Sequence, residues 1–305
     1  MTAAPVFRDY SATSRLGLVL AVTGALGFGL MITASRMTYD AGSNPVTLIC
    51  ARAGVPALLL ALVMLARGTS FAIVPGAGRA VAGVILGQLG ITIGYLSAVA
   101  YIPVSLAVLV FYAYPILVAA VLALTRHSHV GWTAALAFAA AFAGLTLALT
   151  PSFASLDPRG LGFALCATVA GTILLLAADR LPPDQGMLPV CLHANLATLA
   201  LAVPYALITG SLAAPQAAAG WGSLAFVCLA YLAAFFAMIG AVRYAGPLRT
   251  ALAFNLEPVI AILSAVLLLG EALGPVQTLG AALVIGALVL ATLAERPSPP
   301  LPPPA

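Results

Sequence analysis

Long apolar stretches alternate with short polar or glycine- and proline-rich breaks along almost the whole chain. A membrane-spanning helix needs about 20 mostly apolar residues, and ten stretches meet that requirement. We therefore predict an all-α integral membrane protein with ten transmembrane helices. They cover residues 16–35, 46–66, 80–99, 104–124, 131–150, 160–178, 187–209, 220–240, 248–269 and 275–294.

The two ends of the chain lie outside these stretches. Residues 1–15 are polar and contain no earlier apolar core, and no clear Ala-x-Ala cleavage site follows the first stretch. We therefore expect the first helix to be retained and not removed as a signal peptide. Residues 295–305 are rich in proline and predict an extended tail.

The positions of the basic residues, all twelve of which are arginines, predict how the helices are oriented. Cytoplasmic loops of membrane proteins carry an excess of basic residues. With the N-terminus in the cytoplasm, nine arginines fall at cytoplasmic ends, whereas only Arg36 and Arg159 fall outside and Arg52 lies within the second stretch. Both termini are therefore expected to be cytoplasmic, in a multi-pass protein of the cell inner (plasma) membrane.

The composition agrees with this prediction. Hydrophobic residues make up 63% of the chain and charged residues 7%, and the mean hydropathy is +1.14. Soluble domains carry roughly 25% charged residues, so a soluble enzyme and a disordered chain are both excluded. The formal net charge of +4 comes from scattered arginines that form no stripe, so we expect no nucleic-acid partner.

Motifs for cofactors and metals are missing from the sequence. The four cysteines lie in apolar stretches without a Cys-x-x-Cys spacing and are interpreted as small buried hydrophobic residues. Neither a dinucleotide-binding Gly-x-Gly-x-x-Gly nor a phosphate-binding Gly-x-x-x-x-Gly-Lys-Ser/Thr motif occurs. We therefore expect no cofactor, no metal and no direct use of ATP.

The two halves of the chain repeat each other at a constant offset. Ala-Val-x-Tyr at 98–101 recurs at 241–244, and Phe-x-x-x-Pro at 111–115 recurs at 254–258, so both shifts are 143 residues (244 − 101 and 258 − 115). This offset maps the first five stretches onto the second five. Because five is odd, the second copy enters the membrane from the opposite side, as in the inverted repeats of many transporters. Such halves predict a pathway that opens to either side in turn.

The second repeat resembles a known family. Tyr-Ala-Gly-Pro at 244–247, Phe-Asn-Leu-Glu-Pro at 254–258, Leu-Gly-Glu at 269–271 and Gly-Ala-Ala-Leu at 280–283 are similar to the pattern of the EamA family in the drug/metabolite transporter superfamily. The resemblance covers essentially the whole chain and implies a secondary transporter. Its two five-helix units would be residues 16–150 and 160–294. Within the family the chain is most similar in character to bacterial amino-acid exporters, including aromatic amino-acid exporters.

Two prolines lie near the middle of the fourth and ninth stretches, Pro115 and Pro258. A proline within a helix leaves the carbonyl four residues earlier without its usual donor, here at Phe111 and Phe254. In hydrocarbon this oxygen must be satisfied by protein, water or ligand. We expect either paired hinges beside a central cavity, with acceptors for a substrate ammonium, or kinks that serve packing alone.

Two charged residues, Glu257 and Arg52, lie within apolar stretches. A charge at the centre of a membrane helix costs about 2.5–3.5 kcal/mol on insertion scales, so each is expected to face protein or water. Glu257 either carries protons or binds a substrate amine, or it is a structural partner of Arg52 or Arg249. The family resemblance favours the structural role, because the Glu-Pro pair belongs to the general pattern. Arg52 either binds a carboxylate, pairs with an acid or extends towards the surface.

Polar and aromatic side chains within the stretches are the candidate substrate-binding residues. Aromatic rings with a few placed polar groups commonly line sites for small, partly apolar ligands. One of them, a histidine, either carries protons or packs as an ordinary side chain, and the lack of a second ligand one turn away argues against a metal. The candidates are Gln88, Tyr95, Tyr112, His193, Tyr231 and Asn255.

These features predict a secondary transporter that exports amino acids, aromatic or other neutral, by rocking of two halves around a central site. The alternatives are export of cationic drugs or nucleoside-like metabolites, and a non-transporting membrane scaffold or sensor. An intramembrane enzyme is disfavoured because the buried candidates Arg52, His193 and Glu257 form no known catalytic arrangement. The expected partners are a small-molecule substrate and the lipid bilayer.

A stripe of small residues follows one face of the third stretch. Gly83, Gly87, Gly90 and Gly94 recur at spacings of four, three and four residues. Small residues at helical spacing allow two helices to approach closely. The stripe is expected to pack against another helix, either of the same chain or of a second copy, so it leaves the oligomeric state open.

Overall fold

The computed structural model describes residues 14–126, 132–150, 157–270 and 274–294. The interpretations given above for residues 1–13, for Glu271 and for the tail from residue 295 lie outside the described residues. Within the described part every regular element is an α-helix. The helices are Ser14–Asp40 (α1), Pro45–Ala66 (α2), Gly78–Ala98 (α3), Val104–Phe111 (α4), Tyr114–Arg126 (α5), Trp132–Leu149 (α6), Pro158–Asp179 (α7), Met187–Thr209 (α8), Ala218–Ala245 (α9), Pro247–Ala253 (α10), Leu256–Leu269 (α11) and Pro275–Ala294 (α12).

Eight helical segments in the described part are long and apolar enough to cross a membrane. Two further apolar helices, over Ala135–Leu149 and Pro275–Leu290, are shorter. Large apolar side chains cover the outside of the bundle; for example, Ile208 is 86% exposed and Leu267 81%. A surface of this kind is suited to lipid, because water would meet extended apolar patches. The all-α membrane fold is therefore confirmed, whereas the count of ten spans and the cytoplasmic termini stay predictions.

The fourth and ninth apolar stretches are each broken into two helices. The first break lies between Phe111, the end of α4, and Tyr114, the start of α5. The second lies between Ala253 and Leu256, the end of α10 and the start of α11. The two breaks fall within one residue of equivalent positions under the 143-residue offset.

Each break precedes its proline, so Pro115 and Pro258 lie in the first turn of α5 and α11. The first N–H groups of a helix have no partner within the helix, so a proline there removes no helical bond. The expectation that the Phe254 carbonyl lacks a donor is wrong, because the N–H of Glu257 donates to it at 3.0 Å. The prolines thus define where the second helix of each pair starts.

The first helix of each half packs along the third helix of the other half: α1 runs along α9, and α7 runs along α3. Gly17 of α1 lies against Ala245 at the end of α9, and Gly160 of α7 lies against Ile102 just after α3. Both members of these pairs are related by the same offset, since 160 − 17 and 245 − 102 are each 143. The two halves therefore also pack in an equivalent way, because the first helix of each lies on the third helix of the other.

The glycine stripe of α3 faces α7 of the same chain. A methyl group at Gly87 would lie 2.6 Å from the Cβ of Leu174 and 2.7 Å from the carbonyl oxygen of Ala170, and one at Gly83 would lie 2.6 Å from the Cβ of Ala177. Only glycine permits this approach. The expectation of packing within the chain is confirmed for these glycines, so this face is not available to a second copy.

Loops join the two halves at one end of α2 and α8. The hydroxyl of Ser43 donates to the carbonyl of Ala213 at 2.8 Å, and the side chain of Asn44 donates to the carbonyl of Ser211 at 2.6 Å. The N–H of Ala213 donates to the hydroxyl of Thr47 at 2.8 Å. The loop between α1 and α2 is thereby fixed to the loop between α8 and α9.

A second junction lies at the opposite end of α2 and α8. The N–H of Val74 donates to the side-chain oxygen of Gln185 at 3.0 Å, and Gln185 is almost fully buried. Arg243, in the last turn of α9, donates to the main-chain carbonyls of Gln185 at 2.5 Å and Pro182 at 3.3 Å. Each junction therefore joins the first loop of one half to the second loop of the other, so the two junctions are equivalent under the repeat.

Candidate functional site

Glu257 lies in the first turn of α11, directly after the second helix break. Its side chain is half-buried. Three tyrosines of the other half, Tyr95, Tyr112 and Tyr114, are in electrostatic contact with its carboxyl group. The hydroxyl of Tyr112 is buried beside this carboxyl and interacts with it. We call Glu257 and these three tyrosines the carboxyl cluster.

Aromatic rings of the first half surround the carboxyl cluster. Phe111 lies at the centre, with ring centroids 6.4 Å from Tyr95, 5.2 Å from Tyr112 and 5.2 Å from Tyr114. The rings of Tyr112 and Tyr114 are 6.0 Å apart. Edge and tilted contacts at these distances are favourable for aromatic pairs. The first break therefore lies within a packed aromatic group.

Arg52 of α2 lies over the ring of Tyr231 of α9, with its guanidinium carbon 4.9 Å from the ring centroid. This distance is typical of a cation–π contact. Tyr39 and Cys228 are in electrostatic contact with the same guanidinium. Within the described residues Arg52 forms no ion pair, so the interpretation of Glu257 as its partner is wrong. We call Arg52 with Tyr39, Tyr231 and Cys228 the guanidinium cluster.

A second aromatic group supports the guanidinium cluster. Tyr231 stacks on Phe235 with ring centroids 5.8 Å apart and planes 8° apart. On its other side Phe28 of α1 lies 6.0 Å from Tyr231 and 6.0 Å from Phe254. This aromatic group includes Phe254 at the second break, and the other aromatic group includes Phe111 at the first. The two phenylalanines are related by the repeat, since 254 − 111 is 143. Each break thus carries one phenylalanine at the equivalent position.

Tyr39, near the end of α1, interacts electrostatically with residues of both clusters. Its partners are Arg52 and Tyr95, and Tyr95 also interacts with Glu257. Arg52 and Glu257 thus bring opposite charges from the two halves into the bundle without forming an ion pair within the described residues.

Buried polar side chains lie in the same bundle. Gln88 and Asn255 are 7% and 3% exposed. Asn195 donates to the carbonyl of Cys191 at 2.8 Å, but its own side-chain oxygen has no partner within the described residues. A buried polar group left unsatisfied costs about 1–3 kcal/mol. Such groups are normally met by water or ligand.

Hydroxyl groups of α7 hold the backbone around the first break. Thr168 donates to the carbonyl of Val110 at 2.8 Å, and Thr172 donates to the carbonyl of Tyr114 at 3.5 Å. The equivalent of the second pair is Gly29 with Glu257, since 172 − 143 is 29 and 114 + 143 is 257. There a methyl group on Gly29 would lie 2.7 Å from the carbonyl oxygen of Glu257. One break is held by hydroxyl groups and the other by close backbone approach.

The structure brings together only part of the predicted site. Tyr95 and Tyr112 belong to the carboxyl cluster and Tyr231 to the guanidinium cluster, while Asn255 lies at the second break. His193 is bound through its Nδ1 atom to the carbonyl of Pro189 of its own helix at 2.7 Å. Neither His193 nor Gln88 makes a ring or charge contact with either cluster in the described residues.

Several contributors to the site were not predicted from the sequence, among them Phe28, Tyr39 and Phe254. The repeat offset was a usable signal for Phe254, because it pairs this residue with Phe111. Nothing in the sequence marks the face of α1 that turns Phe28 and Tyr39 inward. Within the described residues no three His, Cys, Asp or Glu side chains come together as a metal site.

Comparison with known proteins identifies the family. A solved crystal structure matches with a TM-score of 0.77 at 20% sequence identity and covers 91% of this chain and 98% of the other, which shows a common fold. None of the curated proteins compared matches the chain. The model of the EamA-like transporter family matches twice, over residues 15–150 and 158–293. The chain therefore belongs to the EamA-like transporter family and is a multi-pass membrane transporter of the drug/metabolite superfamily.

Proposed function

We propose that this transporter exports neutral amphipathic metabolites, chiefly amino acids with aromatic or other apolar side chains, from the cytoplasm. One observation carries the proposal: unpaired opposite charges, Arg52 and Glu257, lie among aromatic rings beside two helix breaks. An amino acid carries opposite charges together with an apolar body. Its ammonium is the complement of Glu257, and its carboxylate is the complement of Arg52.

The proposed mechanism is alternating access, with the two halves rocking around this site. The loop junctions at the two ends of α2 and α8 are the places where the halves separate, one end at a time. The helix pairs α4–α5 and α10–α11 bend at their breaks, where Pro115 and Pro258 fix the start of the second helix. Equivalent joints in inverted halves allow the same site to face either side.

The six candidate side chains have distinct roles in this proposal. Tyr95 and Tyr231 supply aromatic walls, while Tyr112 and Asn255 offer a hydroxyl and an amide beside the breaks. The two remaining candidates, Gln88 and His193, meet the substrate on its way to or from the central site, since neither touches a cluster. The position of the Tyr112 hydroxyl beside Glu257 and the buried amides of Gln88 and Asn255 support contact with a polar ligand.

The proposed location is the cell inner membrane, with both termini in the cytoplasm. The excess of arginine at one set of loops supports this orientation. Export follows from the resemblance to amino-acid exporters. Cationic drugs and nucleoside-like metabolites are the alternative substrates, and a non-transporting scaffold or sensor is the alternative function.

Counterflow into liposomes that contain the purified protein tests the proposal. Vesicles are preloaded with one unlabelled amino acid at a time, aromatic, aliphatic or charged, and uptake of a labelled neutral amino acid is followed with and without a pH gradient. We expect accumulation driven by phenylalanine or tryptophan and little from charged amino acids. Exchange only of cationic drugs or nucleosides would contradict the substrate class, and no exchange of any of these compounds would contradict transport of small metabolites by this site.

A further inference from the structure

We propose that Arg52 is the specificity-determining residue of the transport site and that it selects substrates by their carboxylate group, with Tyr231 as its positioning residue. This inference rests on the proposed function and adds to it which end of the substrate is recognised, and by which side chain. Substrates that lack a carboxylate are rejected even when their apolar body fits.

Arg52 carries a positive charge inside the bundle. Its guanidinium is half-buried and has no acidic partner within the described residues, where its contacts are Tyr231, Tyr39 and Cys228. A cation within a membrane helix is costly and is normally paired or in contact with water. Other described arginines are engaged differently; for example, Arg243 binds two main-chain carbonyls. Arg52 is thus an inward-facing cation with which a substrate anion can pair.

The Arg52 side chain points away from the start of α2. Arg52 lies seven residues after Pro45, about 10 Å along α2 at 1.5 Å per residue. An arginine at this depth can extend to the surface, but here the guanidinium lies on the ring of Tyr231, which is only 3% exposed. Tyr231 lies thirteen residues into α9, about 20 Å from its start. The cation–π contact therefore directs the charge into the bundle.

The guanidinium of Arg52 and its neighbours are suited to a carboxylate ligand. An arginine side chain presents a planar fork of donors that fits a carboxylate with two parallel hydrogen bonds. Tyr231 packs against Phe235 and Phe28, so the guanidinium lies at the edge of an aromatic group. The carboxyl of Glu257, in the first turn of α11, supplies one negative charge. One cation and one anion balance a zwitterion, whereas a phosphate dianion would need a second cation.

The test compares three substrates of the same shape in counterflow: phenylalanine, its amide and phenethylamine, which lacks the carboxylate. A charge-assisted hydrogen bond is worth about 1.5–3 kcal/mol, which corresponds to roughly 10–150-fold. We therefore expect the wild-type protein to prefer phenylalanine over both analogues by at least tenfold in exchange rate at low concentration. In Arg52→Gln the ratio of the exchange rates for phenylalanine and its analogues is expected to fall towards one. In Arg52→Lys the ratio is expected to be intermediate, because the charge remains but the planar guanidinium is lost.

Two control pairs separate recognition from folding. Arg180→Gln removes an exposed arginine at the end of α7 and is expected to keep the wild-type preference. Tyr231→Phe keeps the aromatic platform and the preference, whereas Tyr231→Leu loses the preference. Arg52→Lys and the tyrosine variants test the inference even if Arg52→Gln fails to fold.

The outcomes also separate this inference from the proposed function. A wild-type protein that exchanges phenylalanine and phenethylamine equally well would overturn the role of Arg52 while leaving amino-acid transport intact. The same holds if Arg52→Gln, at normal abundance, keeps the wild-type preference. A wild-type protein that exchanges none of the amino acids would overturn the proposed function, and the inference with it.

Discussion

Two glycines at equivalent positions of the repeat predict different responses to the same substitution. Gly17 of α1 and Gly160 of α7 both lie at close contacts between the halves. A methyl group on Gly17 would lie 2.5 Å from the backbone nitrogen of Ala245 and 2.8 Å from the carbonyl carbon of Tyr244. On Gly160 the nearest atoms would be the Cγ2 of Ile102 at 2.7 Å and the Cβ of Tyr101 at 2.9 Å. The obstacle includes backbone atoms in the first case and consists of side-chain atoms in the second.

The magnitudes follow from this difference. Over-packing a close contact costs about 1–3 kcal/mol, and alanine gains up to about 1 kcal/mol over glycine within a helix. The backbone of α9 cannot rotate away from Gly17→Ala, so a net destabilisation of about 2 kcal/mol is expected. At Gly160 the Ile102 side chain is β-branched and the Cβ of Tyr101 is fixed to the backbone, so Gly160→Ala is expected to be destabilised by a smaller amount, about 1 kcal/mol.

Thermal unfolding of the purified variants in detergent micelles measures this order, with tryptophan fluorescence as the signal. Gly162→Ala in α7 is the matched control, because a methyl group there would meet nothing within 4 Å. It is expected to unfold at the wild-type temperature or slightly above. Gly17→Ala should unfold at the lowest temperature of the three. If Gly17→Ala were as stable as Gly162→Ala, the close packing of α1 on α9 would be refuted.

Three further predictions concern the helix breaks and the surface. Replacing Pro115 or Pro258 by alanine is expected to slow exchange in liposomes more than it lowers protein abundance, because each proline fixes where a helix restarts; unchanged rates in both variants would rule out the hinges. Tyr112→Phe removes a buried hydroxyl beside the Glu257 carboxyl, so it should weaken substrate binding; an unchanged half-saturation concentration for phenylalanine would make this residue purely structural. The Arg159 side chain and its N–H bind the carboxyl of Asp157 and hold the pKa of Asp157 below its usual value. The stabilisation is therefore present at neutral pH and is lost only as the pH falls through that lowered pKa. The difference in unfolding temperature between the wild type and Asp157→Ala should thus be constant from about pH 8 to 5 and shrink only in stronger acid; a loss between pH 8 and 6 would contradict it.

The repeat and the membrane fold were predictable because both produce a regular pattern in the amino-acid sequence. The offset of 143 found from Tyr101 and Pro115 is the offset between the two family matches, since 158 − 15 and 293 − 150 are both 143. A stretch of about 20 apolar residues indicates a membrane-spanning helix, because that length crosses the hydrocarbon core of a bilayer. The exact domain bounds, the orientation and the six site residues stay predictions.

The partners of the deep charges were not predictable from sequence. Their depth follows from position along a helix, but whether Arg52 meets an acid or an aromatic ring depends on how α2 is rotated against α9. The same is true of Phe28 on α1, whose orientation is set by packing between the halves. The breaks were only partly predicted: proline marks a disruption, but whether the backbone bends before or after it depends on partners such as Thr168, which holds the carbonyl of Val110.

Access to one central residue from both sides of the membrane tests the account most directly. Asn255 is replaced by cysteine in a protein whose four native cysteines are replaced by alanine, and a membrane-impermeant maleimide is applied to vesicles of either orientation. Leu267→Cys, on the lipid-facing surface, is the control and should react poorly from both sides. We predict that the cysteine at 255 reacts from either side and that phenylalanine slows both reactions. Reaction from one side only, unchanged by phenylalanine, would contradict alternating access of a shared site.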